Sequence, residues 1–250
     1  MPLRKNIVIT GASSGLGEGM ARQFAARGRN LALAARRVDR LDALAGELRA
    51  AHGVTVVTRR LDVNDHAQVF AVFKEFRAEL GALDRVIVNA GINRGQPIGT
   101  GRFAVNRQTM ETNLVAALAQ TEAAVEIFRE QRAGHLVVVS SLSAVRGMPG
   151  ILTVYAASKS GLAALTDGIR YDLHGSPIKV TLLLPGYIES EINEEHGNEP
   201  PYQTKAEAGA KALFRAIESE TAKAYVPAFP WAPMSVALRV LPGGRLKKLV

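Results

Sequence analysis

Short apolar, β-branched runs alternate along this chain with segments whose apolar residues recur at helical spacing, and that alternation limits the fold more than any other feature. Runs near 6–10, 30–35, 54–60, 84–88, 135–140, 178–184 and 223–227 have the length and composition of strands. Helices are expected between them, near 15–28, 39–51, 65–80, 107–132, 155–174 and 204–220. In the second helix Asp39 is placed to cap the start, Leu41, Leu44, Ala45 and Leu48 share one face, and Gly53 lies just past the end. Strand runs that are apolar throughout need cover on both faces, which points to an α/β fold with a parallel sheet between two helical layers.

The turn after the first strand narrows this further. Ile7-Val8-Ile9 runs into Thr10-Gly11-Ala12-Ser13-Ser14-Gly15-Leu16-Gly17, and a helix follows at once. Glycines there allow a sharp turn and a close ligand approach, while the helix start offers unpaired amides and partial positive charge to an anion. Such a turn taken alone could be no more than a tight connection. Its place between first strand and first helix makes it a candidate pyrophosphate site. Sites selective for NAD usually carry an acid at the end of the second strand. This chain has Arg36 and Arg37 there, after Ala34-Ala35. Two guanidiniums suit a ribose 2′-phosphate, Arg36 ahead of Arg37, although both could simply coat a helix start.

Tyr155-Ala156-Ala157-Ser158-Lys159 carries the chemistry. Residues four apart share a helix face, so the phenol and the ammonium point into the same space. A phenol ionises near pH ~10, too high for an easy base. A neighbouring ammonium and an oxidised nicotinamide should both lower that value. Ser140 and Ser141 end the strand Leu136–Val139 just upstream, and the carboxyl ends of parallel strands face the ligand crevice.

With TGxxxGxG and YxxxK in place, the chain resembles a short-chain dehydrogenase/reductase of the compact type, to about residue 228. The resemblance implies a single-domain, Rossmann-like, doubly wound parallel β-sheet of about seven strands. It also implies NADP(H) as cofactor and hydride transfer to or from a carbonyl or secondary alcohol. Tyr155 would then be the general acid/base. Lys159 would hold the nicotinamide ribose, Ser141 the substrate oxygen, and Asn113 a water of the proton relay. Cofactor contacts would come from Gly11, Ser13, Ser14, Gly15, Leu16, Gly17, Arg36, Arg37, Asp62, Val63, Asn89, Ala90, Gly91, Tyr155, Lys159, Pro185, Gly186 and Ile188. The family's usual NNAG turn reads Val88-Asn89-Ala90-Gly91 here, one asparagine short. The family's serine lies thirteen residues before the tyrosine, whereas Ser141 lies fourteen and Ser143 twelve before it, so Ser143 stays a rival.

Composition sets the remaining limits. There is no cysteine, and the five histidines show no metal-ligand spacing, so neither disulfides nor a metal are expected. The N-terminal apolar run is too short for a signal peptide, and a soluble, cytoplasmic protein is expected. The net charge is +8, but the basic residues are scattered and no nucleic-acid module is recognisable, so nucleic acid is not an expected partner. A homodimer or homotetramer acting on a small, partly apolar substrate is. Pocket walls are expected at 92–100, 142–154 and 187–203, with Ile92, Leu152, Val154, Tyr187 and Ile188 among them; 187–203 is also the longest irregular connection. Residues 1–228 would form the dinucleotide-binding catalytic domain. Residues 229–250 would be a tail serving as lid, interface or weak membrane contact. A cofactor-binding regulator without turnover is the alternative function, opposed by the intact set of Asn113, Ser141, Tyr155 and Lys159.

Overall fold

The computed structural model describes residues 3–190, 202–242 and 244. The chain runs β1 (Asn6–Thr10), α1 (Gly15–Ala25), β2 (Asn30–Ala35), α2 (Val38–His52), β3 (Val56–Arg60), α3 (His66–Leu80) and β4 (Arg85–Val88). It continues through α4 (Phe103–Met110), a π-helical turn (Glu111–Val115), α5 (Ala116–Gln131), β5 (Gly134–Val139) and a 3₁₀ turn (Leu142–Val145). The last elements are α6 (Leu152–Asp172), β6 (Ile178–Pro185), α7 (Ala206–Glu218), β7 (Lys223–Val226) and α8 (Ala228–Val240). The seven strands form one sheet in the order β3-β2-β1-β4-β5-β6-β7, every pair parallel.

Successive strand side chains point to opposite faces, and here both faces are buried. Ile7, Ile9, Leu31 and Leu33 pack on one side with Met20, Phe24, Leu213 and Ile217 of α1 and α7. Val8, Ala32, Val86, Leu136 and Val138 pack on the other with Phe73, Phe76, Ile127 and Phe128 of α3 and α5. The expected strands are all present. The order reverses direction between β1 and β4, which opens a crevice at their carboxyl ends.

Three local readings needed correction. Asp39 does not cap α2: the helix starts at Val38, and Asp39 lies inside the first turn, where a negative charge still suits the helix dipole. Gly53 does end that helix in the left-handed conformation, at φ 64°. The expected helix at 107–132 begins at Phe103 and is interrupted by the π-helical turn. The tail contains α8, disguised by Pro230 and Pro233. Phe229 departs from helical dihedrals (φ −104°, ψ 133°), so the regular turns follow it. Pro230 and Pro233 then lie at their N-terminal end, where a missing N–H costs least. Part of the long connection and most of the last residues, 191–201 and 245–250, lie outside the described residues.

The amino end of the sheet holds a buried polar cluster that no motif announced. Arg85 Nε donates to His135 Nδ1 at 2.8 Å, and His135 Nε2 lies 2.9 Å from Thr181 Oγ1. That hydroxyl donates in turn to Thr221 O at 2.8 Å. Arg85 also pairs with Glu218 and Glu220, and Arg4 Nε reaches Glu220 at 2.9 Å. Burial, then the charges of Arg85 and Arg4, hold the His135 imidazole well below its ordinary 6.5. An unfolded histidine takes up a proton as pH falls through about 6.5, and the folded one does not. The unfolded state therefore binds more protons, and stability falls as pH drops through that range. The expected loss approaches ~1.4 kcal/mol per pH unit for this one group. Denaturant unfolding at a series of pH values should give a flatter slope for His135→Gln than for the wild type. Equal slopes would clear His135 as the cause.

Candidate active site

The crevice between β1 and β4 is built by backbone geometry. Gly11 turns the chain at φ +65°. Gly17 sits so close beneath it that a Cβ would lie 2.3 Å from Gly11 O. Thr10 and Asn89 tie the two strand ends together. Thr10 Oγ1 accepts from the amides of Asn89 (3.1 Å) and Ala90 (3.3 Å), while Asn89 Nδ2 donates to Thr10 O at 3.0 Å. Asn89 thus braces the glycine turn, and Val88 before it is simply a buried strand residue. Ser14 precedes α1 without capping it. Its hydroxyl accepts instead from Arg37 Nη2 at 2.6 Å, and Ser13 Oγ accepts from Arg37 Nε at 3.2 Å. The first amides of α1 are left for an anion, with a guanidinium and two hydroxyls alongside. Arg36, ranked ahead of Arg37 by the sequence, is exposed, as is Arg37.

Asp62 stands at the end of β3. Its Oδ1 accepts from the Asn64 amide (3.0 Å) and Nδ2 (3.1 Å), and its own amide donates to Gln68 Oε1 at 3.0 Å. Val63 beside it is buried. Asn64 Oδ1 in turn accepts from Thr112 of the π-helical turn at 3.2 Å, which links this rim to the centre.

At the centre, Asn113 lies in that π-helical turn, a distortion common at functional positions. It is fully buried and pins the chain after β4: Nδ2 donates to Ile92 O and Oδ1 accepts from Ile92 N–H, each at 2.8 Å. Nδ2 also reaches Ser158 Oγ at 3.2 Å, and that hydroxyl donates to Tyr155 O at 2.7 Å. A Cβ at Gly91 would lie 3.1 Å from Asn113 Oδ1 and 3.4 Å from Lys159 Nζ, so the three positions converge. Lys159 is buried and donates to Val139 O at 3.1 Å, while Ser140 Oγ holds the Lys159 carbonyl at 2.7 Å. Of the two rival serines, Ser141 lies near enough to the Tyr155 phenol to favour its ionised form. It also accepts from the Ser143 amide at 3.1 Å, and so starts the 3₁₀ turn.

The electrostatics differ from expectation. Burial pushes the Tyr155 phenol above its ordinary 10.0, against the influence of Ser141 and with a small push from Tyr187. Lys159 does not reverse this, because Nζ is 5.9 Å from the ring centroid and is turned to Val139 O. Burial also lowers Lys159, from 10.5 to about 8. At neutral pH the site holds a protonated phenol beside a charged amine.

The far wall follows β6. Trp231 of α8 is buried against Pro185-Gly186-Tyr187: a Cβ on Gly186 would come 2.2 Å from its ring, and Tyr187 meets it edge-on at 5.6 Å between centroids. Leu142, Met148, Ala156 and Leu238 complete this cluster, with Leu152 partly buried on it. Arg146 donates to the Leu238 and Leu241 carbonyls at the end of α8, so the serine-bearing loop is bound to the terminal helix. Ile188, expected in the pocket wall, instead packs into the core against Gly209, because its backbone bridges to Thr204. Sequence reasoning passed over Asn64, Arg146 and Ser158. Of these only Ser158, between Tyr155 and Lys159, had a local signal.

Comparison with known proteins agrees with this geometry. A family model described as short chain dehydrogenase matches residues 5–201. An uncharacterized oxidoreductase of Mycobacterium tuberculosis is 50% identical over 240 residues, covering 96% of this chain and 94% of that protein. A short-chain dehydrogenase from Sphingobium yanoikuyae, in complex with NADPH, superimposes with a TM-score of 0.83 at 27% identity, covering 96% of this chain and 93% of the other. A short chain dehydrogenase/reductase from Burkholderia phymatum, in complex with NAD, gives 0.84 at 25% identity over 94% and 92% of the two chains. Fold, crevice and sequence similarity agree: the chain belongs to the short-chain dehydrogenase/reductase family of oxidoreductases.

Proposed function

We propose that the protein is an NADP(H)-dependent carbonyl reductase or alcohol dehydrogenase whose general acid/base is Tyr155. The convergence of Ser141, Tyr155 and Lys159 beside Asn113 carries this reading, and a non-catalytic regulator would not need it. A bound nicotinamide would supply the hydride for a carbonyl carbon in reduction and would accept it from the alcohol carbon in oxidation. The protein's share is the proton. Ser141 hydrogen-bonds the substrate oxygen, and Tyr155 gives its phenolic proton to that oxygen as the alcohol forms. A phenol pushed above 10.0 arrives protonated at neutral pH, which suits reduction. Lys159 holds the nicotinamide ribose and draws charge from the phenolate left behind, and Asn113 anchors the water that returns the proton.

The binding roles follow the crevice. Backbone amides of Gly15, Leu16 and Gly17 at the start of α1 take the pyrophosphate. Arg37, with Ser13, Ser14 and Arg36, takes the 2′-phosphate. Asp62 and Val63 meet the adenine, Asn89-Ala90-Gly91 the ribose, and the backbone of Pro185, Gly186 and Ile188 the carboxamide. Tyr187, Leu142, Met148 and Leu152 support a partly apolar substrate. A cytoplasmic homodimer or homotetramer belongs to the same proposal. It draws on the exposed apolar Phe103, Val115 and Leu118 around α4 and α5 and on the lack of cysteine.

Four outcomes test this reading. Tyr155→Phe should bind cofactor nearly as the wild type does and lose about 10²–10⁴-fold in turnover. A carbonyl panel followed at the nicotinamide absorbance measures that loss, and near-normal turnover would refute the assignment. In the same assay Ser141→Ala should be far more damaging than Ser143→Ala. NADPH should bind more tightly than NADH, and Arg37→Ala should erase about tenfold to a hundredfold of that preference, the worth of a charge-assisted contact. Equal dissociation constants in the wild type would defeat the claim. Finally, kcat/KM for reduction should fall as pH rises through about 8, where Lys159 gives up its charge. A profile flat through that range would remove Lys159's ammonium from the mechanism.

A further inference from the structure

The chain has five tyrosines, and four of them have a plain place for the hydroxyl. Tyr171 and Tyr202 are open to water, at 70% and 66% exposed. Tyr225 Oη accepts from Arg239 Nη2 at 3.4 Å, and Tyr155 has Ser141 beside it. Tyr187 is half-buried, yet its hydroxyl has no hydrogen-bond partner among the described residues. A phenol drawn out of water ordinarily finds such a partner, because an unpaired one forfeits its hydration for nothing.

The ring is held in place from two directions. The Tyr187 carbonyl accepts from the Thr204 amide at 2.9 Å, which fixes the backbone just after β6. Trp231, itself buried, meets the ring edge-on at 5.6 Å between centroids. Leu142, Met148 and Leu152 around them bring no strong donor or acceptor. Tyr187 is thus the polar tip of an otherwise apolar wall, and it lies close enough to Tyr155 to add to the upward push on that phenol. Burial raises Tyr187 as well, so at neutral pH its hydroxyl is intact and can both donate and accept.

We infer that Tyr187 is a specificity-determining residue, whose hydroxyl hydrogen-bonds a second oxygen carried on the carbon next to the reacting carbonyl. This deepens the proposed reaction and rests on it for which oxygen reacts. Tyr155 and Ser141 take that first oxygen. A substrate with no other oxygen would cover Tyr187 and leave its hydroxyl unpaired, a mismatch that a site built to hydrogen-bond its substrate penalises. Two phenols that feel each other's charge leave room for only a few bonds between the oxygens they hold. The class that fits is α-hydroxy ketones and 1,2-dicarbonyls, reduced to vicinal diols and α-hydroxy ketones.

The test compares 2-hydroxycyclohexanone with cyclohexanone, by turnover with NADPH and by binding to the NADP-loaded protein. Trp231 is the single tryptophan and touches Tyr187, so its emission reports a ligand on this wall. The wild type should favour the hydroxy ketone about three- to tenfold in both Kd and kcat/KM, the worth of one neutral hydrogen bond. Tyr187→Phe keeps the ring against Trp231 and should bring both ratios to about one, whatever its absolute rates. A purely structural loss would lower both compounds alike and leave the ratios standing. A wild type that treats the two ketones equally, or a preference that survives in Tyr187→Phe, would overturn the inference. If neither ketone is reduced but the binding preference is present and is lost in Tyr187→Phe, the proposed reaction falls and the role of Tyr187 stands.

Discussion

The structure depends on the seam between β1 and β4. The sheet changes direction there, so the helices that follow the two strands leave on opposite sides and the carboxyl ends stand open. An open seam in the middle of a sheet needs its polar groups satisfied, and Thr10 and Asn89 do this with each other's backbone. Their bonds hold Gly11 over Gly17 at a separation that excludes any side chain. The anion seat at α1 and the converging groups at Gly91 are laid out from that seam, one on each side.

Catalytic capacity is set against stability at several buried positions. Among the described residues Lys159 sits without a carboxylate partner, in a place that lowers its affinity for a proton, and Tyr155 is pushed the other way by the same burial. Neither arrangement stabilises the fold. Both are held by an over-determined frame: Asn113 bonded to Ile92 and Ser158, Ser158 to the Tyr155 carbonyl, and Ser140 to the Lys159 carbonyl. The opposite end of the sheet buries charge as well, but pairs it. Arg85 has His135, Glu218 and Glu220 around it, so that cluster anchors strands without offering a reactive group.

The terminal helix belongs to the site as much as to the periphery. Trp231 fills the space a Cβ at Gly186 would need, and Arg146 holds the last carbonyls of α8, where a cation suits the helix dipole. The loop after Ser141 and the loop after β6 are therefore set against each other through α8, although both lie far from it in sequence.

The sequence by itself determined the layers and the turn. Strand runs buried on both faces, amphipathic segments between them, glycines at 11, 15 and 17 and the four-residue interval from Tyr155 to Lys159 are all local patterns, and local sterics and helix periodicity suffice to read them. What required long-range contact was decided only by the tertiary structure. Spacing favoured Ser141 but left Ser143 a rival, because which hydroxyl comes near the phenol depends on contact between two separate elements. It put Arg36 ahead of Arg37, although the guanidinium that folds onto Ser13 and Ser14 across the turn is that of Arg37. The periodicity of α8 was hidden by Pro230 and Pro233, and its inward face exists only because Gly186 and Tyr187 are there to receive Trp231. Burial, a long-range property, raises the Tyr155 phenol, a contribution that local spacing does not show. Proximity in sequence placed an ammonium nearby, but burial, a property of the whole fold, outweighs it.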